Sequence, residues 1–230
     1  MKTIRIIPLV VALLFSLSLM AQEESGEMKT LFNKSSDKKM SNGGYGSFSI
    51  GYTQIDNKDA LLLGGRVAWI ANHRFALGFA GNGFFNSVQK SYNSIDDPSE
   101  YFLTGGYGGL FFEPILMPNK PVHVSFPIML GAGGVTAVQS ENWTSSYNNH
   151  QVNYYDADAF FVFEPGVDIE FNIVKFFRVA LGASYRLTNG VDLKYKYLDP
   201  NDNYNEKIIT VNKNALNAFN FNIGFKFGWF

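Results

Sequence analysis

The sequence predicts an all-β fold, in which eight antiparallel strands follow one another up and down around a closed barrel. Three observations predict it: a two-residue alternation of large apolar with small or polar residues, an aromatic C-terminal segment, and the placement of the charged side chains. Side chains two positions apart share a face of a strand, so each alternating segment has one apolar face. The 230 residues include no cysteine, so hydrogen bonds between strands must hold the sheet together.

The residues before the barrel predict export. Lys2 and Arg5 precede an apolar run, and Ala21 supplies a small residue at a cleavage point, so residues 1–21 are predicted to be a signal peptide. The run is shorter than the roughly 20 residues that span a bilayer as a helix. Residues 22–43 are polar and predict a disordered lead-in on the periplasmic side. The barrel is predicted to occupy residues 44–230.

Eight segments show the alternation. They cover about residues 44–54, 60–71, 74–86, 100–112, 121–137, 158–171 and 176–188, and then the last dozen residues of the chain. The parity with the larger apolar residues is predicted to face outwards, which in the fourth strand means Tyr101, Leu103, Tyr107 and Phe111. Pro127 and Pro165 interrupt two of the strands and are predicted to mark bulges or strand boundaries.

The placement of size and charge indicates that the barrel is transmembrane. A membrane barrel exposes large apolar side chains to lipid, whereas a lumen of eight strands has room for small residues and a few long polar ones. An arginine facing lipid near the midplane would cost roughly 2–4 kcal/mol, and the charged strand residues fall on the inward parity. We predict that they form a plug of ion pairs. The members of this lumen charge network are Arg66, Glu164, Asp168, Glu170, Arg178, Arg186 and Lys226.

Aromatic residues mark the ends of the strands. Trp69, Tyr101, Tyr185 and Trp229 are predicted to form girdles at the membrane interfaces. An aromatic face on a C-terminal strand is typical of bacterial outer-membrane barrels, and with the signal peptide it predicts the outer membrane of a Gram-negative bacterium. Phe230 is out of phase with Trp229, so the alternation alone leaves the register of this strand open.

The connections alternate in length, which predicts their side of the membrane. Those around residues 72–74, 113–121 and 172–175 are short, as periplasmic turns are. Three others are long and polar and predict external loops; they cover about residues 87–100, 138–157 and 189–214. In the last of these, the runs 194–197 and 207–211 are able to pair as a hairpin that offers its edges to a partner.

Five segments stand out in the sequence: Leu63–Arg74, Gly105–Leu110, Pro118–Ser125, Glu170–Arg178 and Gly182–Arg186. They resemble an uncharacterised family of outer-membrane barrels from Bacteroidota. The chain is also distantly similar to the small OmpX and OmpA-type barrels. The resemblance implies the barrel and the outer membrane, and it implies no activity.

Composition excludes several kinds of site. The net charge is −1 without a basic stripe, which argues against nucleic acid as a partner. His73, His123 and His150 are scattered, so no metal or cofactor is expected. His150 lies in a long loop with serines and aspartates nearby, but it lacks a paired catalytic motif and is interpreted as a solvated loop residue. We therefore expect no enzymatic activity.

The sequence leaves three functions open. The first is a structural or surface-interaction role through the external loops of a plugged barrel. The second is a narrow channel for small solutes, and the third is a soluble, lipocalin-like binder whose aromatic faces point inwards around an apolar ligand. The expected partners of the first are outer-membrane lipid, the barrel assembly machinery through the C-terminal strand, and an extracellular protein or glycan.

Overall fold

The computed structural model of the chain describes residues 42–86, 100–140, 153–199 and 205–230. The predicted signal peptide lies outside these residues, as does nearly all of the predicted lead-in, since the first strand begins at Asn42. The strands in the described part are β1 Asn42–Ile55, β2 Lys58–Ala71, β3 Phe75–Asn86, β4 Glu100–Leu116, β5 Val122–Ser125, β6 Ile128–Ser140, β7 Asn153–Val174, β8 Phe177–Thr188, β9 Lys194–Asp199, β10 Asn205–Thr210 and β11 Ala218–Trp229. No helix in these ranges is long and apolar enough to cross a membrane.

Nine of the described strands form one closed antiparallel sheet. The ring closes where β1 pairs with β11, from Gly44 opposite Trp229 to Tyr52 opposite Phe221. β5 and β6 share one position in the ring, because both pair with β4 on one side and β7 on the other. The described strands therefore occupy eight positions, and the predicted up-and-down barrel is confirmed.

The division between β5 and β6 lies at residues 126–127. Pro127 has no N–H to donate to a neighbouring strand, so the ladder is interrupted there. The N–H of Gly166 nevertheless donates to the carbonyl of Pro127 at 2.8 Å, which keeps the broken segment within the sheet. Pro165 lies inside β7, and the register shifts of that strand fall near its two ends. The predicted boundary is thus confirmed at Pro127, whereas a bulge at Pro165 is wrong.

The outer face of the barrel is apolar along its whole circumference. Large side chains from every position of the ring are exposed, and they include Phe48, Val67, Phe79, Leu110, Leu130, Phe161, Leu181 and Phe221. Phe161 is 71% exposed and Trp229 is 83% exposed. A continuous apolar surface of this kind is unfavourable in water and is what contact with lipid requires.

The orientation of β4 differs from the prediction. Leu103, Tyr107 and Phe111 are predicted to face outwards, but all three are buried in the lumen, at 2%, 5% and 2% exposure. A glycine on the neighbouring strand makes room for one of them, since a Cβ atom on Gly133 would lie 2.6 Å from the Cβ of Tyr107. A large side chain can therefore face the lumen where the neighbouring strand has a glycine beside it.

The connection between β8 and β11 contains the predicted hairpin. β9 and β10 pair with each other from Lys194 opposite Thr210 to Asp199 opposite Asn205, in a separate two-stranded sheet. The segments that flank this hairpin return to the barrel and place Val191, Leu193, Val211 and Leu216 in its apolar core. This connection thus closes over the barrel end at which β1 meets β2, and it is called the returning loop below.

Candidate functional site in the lumen

The lumen is divided along its axis into a polar and an apolar part. The polar part lies near the end where β1 begins, and it contains buried tyrosine, glutamate, histidine, arginine and lysine side chains. The apolar part lies towards the opposite end and joins residues of the barrel strands to the returning loop. Among its largest members are Ile55, Leu62, Phe84, Leu103, Phe160, Leu193 and Leu216.

Lys226 is the centre of the polar part. Its Nζ atom lies 2.7 Å from a carboxylate oxygen of Glu113, 2.7 Å from one of Glu170 and 3.8 Å from one of Asp168. The Ser125 hydroxyl lies within hydrogen-bond distance of both glutamates, at 2.8 and 2.7 Å. Buried charges are tolerated when each has a partner and the remaining lone pairs are satisfied, and this cluster meets that condition.

Arg178 and Phe230 lie together at the end of the polar part. The guanidinium of Arg178 lies 3.4 Å from Glu170 and 3.3 Å from the Nε2 atom of His123. Its central carbon is 3.8 Å from the centre of the Phe230 ring, which also stacks on Tyr45 at 6.0 Å. The ring of Phe230 turns towards the lumen and covers the charged cluster, whereas the neighbouring Trp229 faces outwards. This explains why Phe230 does not follow the outward parity of the strand.

Arg66 connects the polar part to the middle of the lumen. Its NH1 atom lies 2.7 Å from Asp168, and its guanidinium carbon lies 5.0 Å from the centre of the Phe111 ring. A cavity of about 20 Å³ adjoins Arg66, Asn82 and Glu164. This volume suits about one water molecule, so the middle of the lumen is closely packed.

Arg186 has a different role from the other cations. It is fully buried, and its Nε atom donates to the carbonyl of Leu216 at 2.6 Å. Its NH2 atom donates to the carbonyl of Gln54 and to the Thr53 hydroxyl, each at 3.3 Å. The described residues place no carboxylate in an ion pair with it. Arg186 therefore ties the returning loop to β1.

Glu164 is linked to Arg186 only through intermediate side chains. The Asn220 amide donates to Glu164 at 3.0 Å, and the Thr53 hydroxyl donates to the Asn220 amide oxygen at 2.6 Å. Ser184 also donates to Glu164. The other carboxylate oxygen of Glu164 has no partner among the described residues.

The structure thus brings five members of the expected network into direct contact: Arg66, Asp168, Glu170, Arg178 and Lys226. Glu164 and Arg186 lie further along the lumen. Sequence reasoning missed Glu113, because it assigned residues 113–121 to a turn whereas β4 continues to Leu116. Glu113 shares the parity of Leu103, Tyr107 and Phe111, which were predicted from the sequence to face outwards, so the alternation alone would have placed it towards lipid. Its charge is the signal that could have shown that this parity faces the lumen.

Three of the four expected girdle residues have described side chains. Trp69 and Trp229 are exposed on the outer face, at opposite sides of Gly44 in the sheet. Tyr185 is partly buried, and its ring packs edge-on against Phe219 at 4.7 Å. The side chain of Tyr101 lies outside the described part of the chain, and so does His150.

A cation is already present where the carboxylates converge. Oxygens of Glu113, Asp168 and Glu170 lie within 4.8 Å of one another, a spacing that resembles a metal site. The ammonium group of Lys226 contacts all three, Arg66 pairs with Asp168 and Arg178 pairs with Glu170, so three cations face the three carboxylates. The cluster of lysine, arginine and carboxylate side chains therefore keeps the buried charges inside the lumen paired.

Comparison with known proteins shows which fold the chain shares. No protein-family model matches the sequence, and no curated protein matches it in sequence. Among solved structures, a major outer membrane protein from Thermus thermophilus has a TM-score of 0.51 and 9% identity, over 82% of this chain and 100% of that one. The similarity shows the fold alone, and the chain has the fold of a small outer-membrane β-barrel.

Two further solved structures are similar at lower scores. Neisserial surface protein A has a TM-score of 0.47 and 9% identity, over 83% of this chain and 99% of that one. Ail, the attachment invasion locus protein of Yersinia pestis, has a TM-score of 0.45 and 10% identity, over 82% and 98% of the two chains.

Proposed function

We propose that this protein is a closed barrel in the outer membrane of a Gram-negative bacterium, which it reaches by means of its signal peptide. Its lumen does not conduct solutes, and it has no catalytic role. The protein acts as a structural component of the membrane and as a surface for interaction through its external loops. Outer-membrane lipid and the barrel assembly machinery are its general partners.

The packing of the lumen carries this proposal. Ion pairs cross the polar part, and the apolar cluster fills the other part together with the returning loop. A solute entering from the loop side would meet buried apolar side chains such as Phe84, Leu193 and Leu216. Passage would require both layers to open, and each is stabilised by burial or by charge pairing.

A narrow channel is the second candidate function. The inward charges favour it, since Arg66, Asp168 and Lys226 supply the polar groups that line selective pores. The cluster of apolar side chains beyond them argues against it. The outward aromatic faces and the inward arginines argue against the soluble lipocalin-like alternative.

Conductance distinguishes the closed barrel from the channel. Mature protein refolded into a planar bilayer should show no open steps, and heat-modifiable gel mobility of the same sample confirms that it is folded. The double variant Phe84→Ala and Leu216→Ala shortens only the apolar cluster and should also stay silent, because the ion pairs of the polar part still close the lumen. Reproducible steps from the unmodified protein that change in Arg186→Ala would establish the channel instead.

A further inference from the structure

A cleft of about 560 Å³ lies outside the lumen, at the barrel end that bears the returning loop. The β1–β2 turn forms one side, the segment 212–217 forms another, and the adjoining ends of β8 and β11 form the floor. Its volume lies within the range of about 300–1,000 Å³ that small-ligand sites occupy. The closed lumen does not depend on it.

Hydrogen bonds hold the walls of this cleft in place. The N–H of Asp56 donates to the carbonyl of Ala215 at 2.7 Å, which joins the β1–β2 turn to the loop. The N–H of Thr188 donates to the Asn217 amide oxygen at 2.8 Å, and this bond joins the loop to β8. The buried Arg186 holds the same loop through the carbonyl of Leu216. The cleft is therefore formed before any ligand binds, which reduces the cost of binding.

The two walls of the cleft differ in chemistry. One consists mainly of asparagine side chains, among them Asn57 and Asn214, and the other contains the packed rings of Tyr185 and Phe219. Within the described part of the chain, the amides of Asn57 and Asn214 and the Tyr185 hydroxyl have no hydrogen-bond partner. Each amide offers donors and an acceptor together, as neighbouring hydroxyl groups of a ligand require. Aromatic rings offer a flat apolar surface to the other face of such a ligand.

The charge of the cleft restricts its ligand further. Asp56 is the one charged side chain among the described residues that line it. A phosphate or carboxylate would be repelled by this group and would find no cation in the lining to compensate it. The lining is suited to a neutral molecule that is rich in hydroxyl groups and has one apolar face.

We propose that this cleft binds a neutral sugar, presented as the headgroup of a glycolipid in the outer leaflet. Phe219 and Phe221 extend from the cleft along the exposed face of β11, so the acyl chains would follow that apolar surface. The proposal rests on the outer-membrane location proposed above, because the loop end faces the outer leaflet only in that orientation. Under this proposal, the glycan partner expected from the sequence is a membrane lipid, and its binding site is this cleft.

Native mass spectrometry of the full protein tests the proposal. The refolded protein is placed in phosphatidylcholine nanodiscs that contain a monoglucosyl diacylglycerol, and the lipids retained on release are counted. One glycolipid should be retained in preference to phosphatidylcholine. Asn57→Ala with Asn214→Ala should weaken retention by about 25-fold, since each of the two lost hydrogen bonds contributes roughly a factor of five.

A matched control lies at the opposite end of the barrel. Asn119 lines a cleft of about 610 Å³ between the β2–β3 and β4–β5 connections, so Asn119→Ala removes an amide from a site of similar size. It should leave glycolipid retention unchanged. If the double variant fails to fold, Tyr185→Phe removes only a hydroxyl group and should weaken retention by about fivefold.

Three results would overturn the proposal. Equal retention of phosphatidylcholine and glycolipid would show unspecific lipid binding, and an equal loss in Asn119→Ala would place the sugar elsewhere. If free methyl glucoside displaced the glycolipid and bound with the same affinity, the ligand would be a soluble saccharide and not a lipid. A barrel that conducts but still retains the glycolipid would refute the closed lumen and leave the glycolipid site in place. The two proposals can therefore be tested independently.

Discussion

Lys226 and Glu113 form a 2.7 Å ion pair across the diameter of the barrel. Their strands, β11 and β4, lie at opposite positions of the eight-membered ring. Arg66 on β2 and Asp168 on β7 are opposite in the same way and are also 2.7 Å apart. Each of these two ion pairs therefore connects two strands that share no backbone hydrogen bonds with each other.

Replacement of Lys226 tests how strongly this pairing stabilises the fold. Lys226→Met leaves Glu113 and Glu170 buried without their shared cation, so the free energy of unfolding should fall by about 3–5 kcal/mol. Urea unfolding in phospholipid vesicles measures it. Lys175→Met removes an exposed lysine from the β7–β8 turn and should change stability by less than about 0.5 kcal/mol. Similar small losses in both variants would contradict the prediction.

Replacement of Arg186 should release the returning loop. Arg186→Ala removes two hydrogen bonds to carbonyl groups, at Leu216 and Gln54, and bonds from a charged donor contribute roughly 1.5–3 kcal/mol each. Trypsin cleavage after Lys213, which is exposed in this loop, should accelerate by about tenfold or more. Arg66→Ala is the control, since it also removes a lumen arginine but has no contact with the loop. Equal cleavage in both variants would show general loosening instead.

Two adjacent glycines should respond oppositely to a larger side chain. A Cβ atom on Gly64 points into the lumen towards Asn82 and lies 2.7 Å from the Ser49 hydroxyl, whereas one on Gly65 points outwards with its nearest neighbour at 3.4 Å. Gly64→Leu should cost about 1–3 kcal/mol or prevent folding through overpacking, and Gly65→Leu should fold normally. The folded fraction after refolding, read from heat-modifiable gel mobility, compares them. Normal folding of Gly64→Leu would show that the lumen has spare volume.

Removal of the Phe230 ring should weaken the polar end of the lumen. Phe230→Ala eliminates the contact with Arg178, and cation–π contacts contribute about 0.5–2 kcal/mol depending on burial. Phe230→Tyr preserves the ring and should stay within about 0.5 kcal/mol of the unmodified protein. The urea midpoints of the two variants measure the difference. An unchanged midpoint in Phe230→Ala would mean that the ring is not part of the packed interior.

The alternation in the sequence was sufficient for the eight positions of the ring and for the inward placement of Arg66, Arg178 and Lys226, because alternate side chains of a strand share a face. It was not sufficient for the orientation of β4 or for the division between β5 and β6. Partners within the lumen were harder to predict. Lys226 contacts Glu113 rather than a neighbour in sequence, and that pairing follows from the number of strands in the ring. The inward ring of Tyr107 depends on Gly133 in a neighbouring strand, which the pattern of its own strand does not show.

The pairing of β1 with β11 also determines when the interior becomes neutral. Lys226 lies on β11, opposite β4 in the ring, so it meets Glu113 only once the seam closes, whereas Glu170 lies on β7, which stays joined to β11 through β8. In an open sheet Glu113 lacks its lysine and retains water, so an unclosed intermediate enters lipid poorly. We expect closure of the seam and dehydration of the interior to occur together, which makes the final folding step all-or-none.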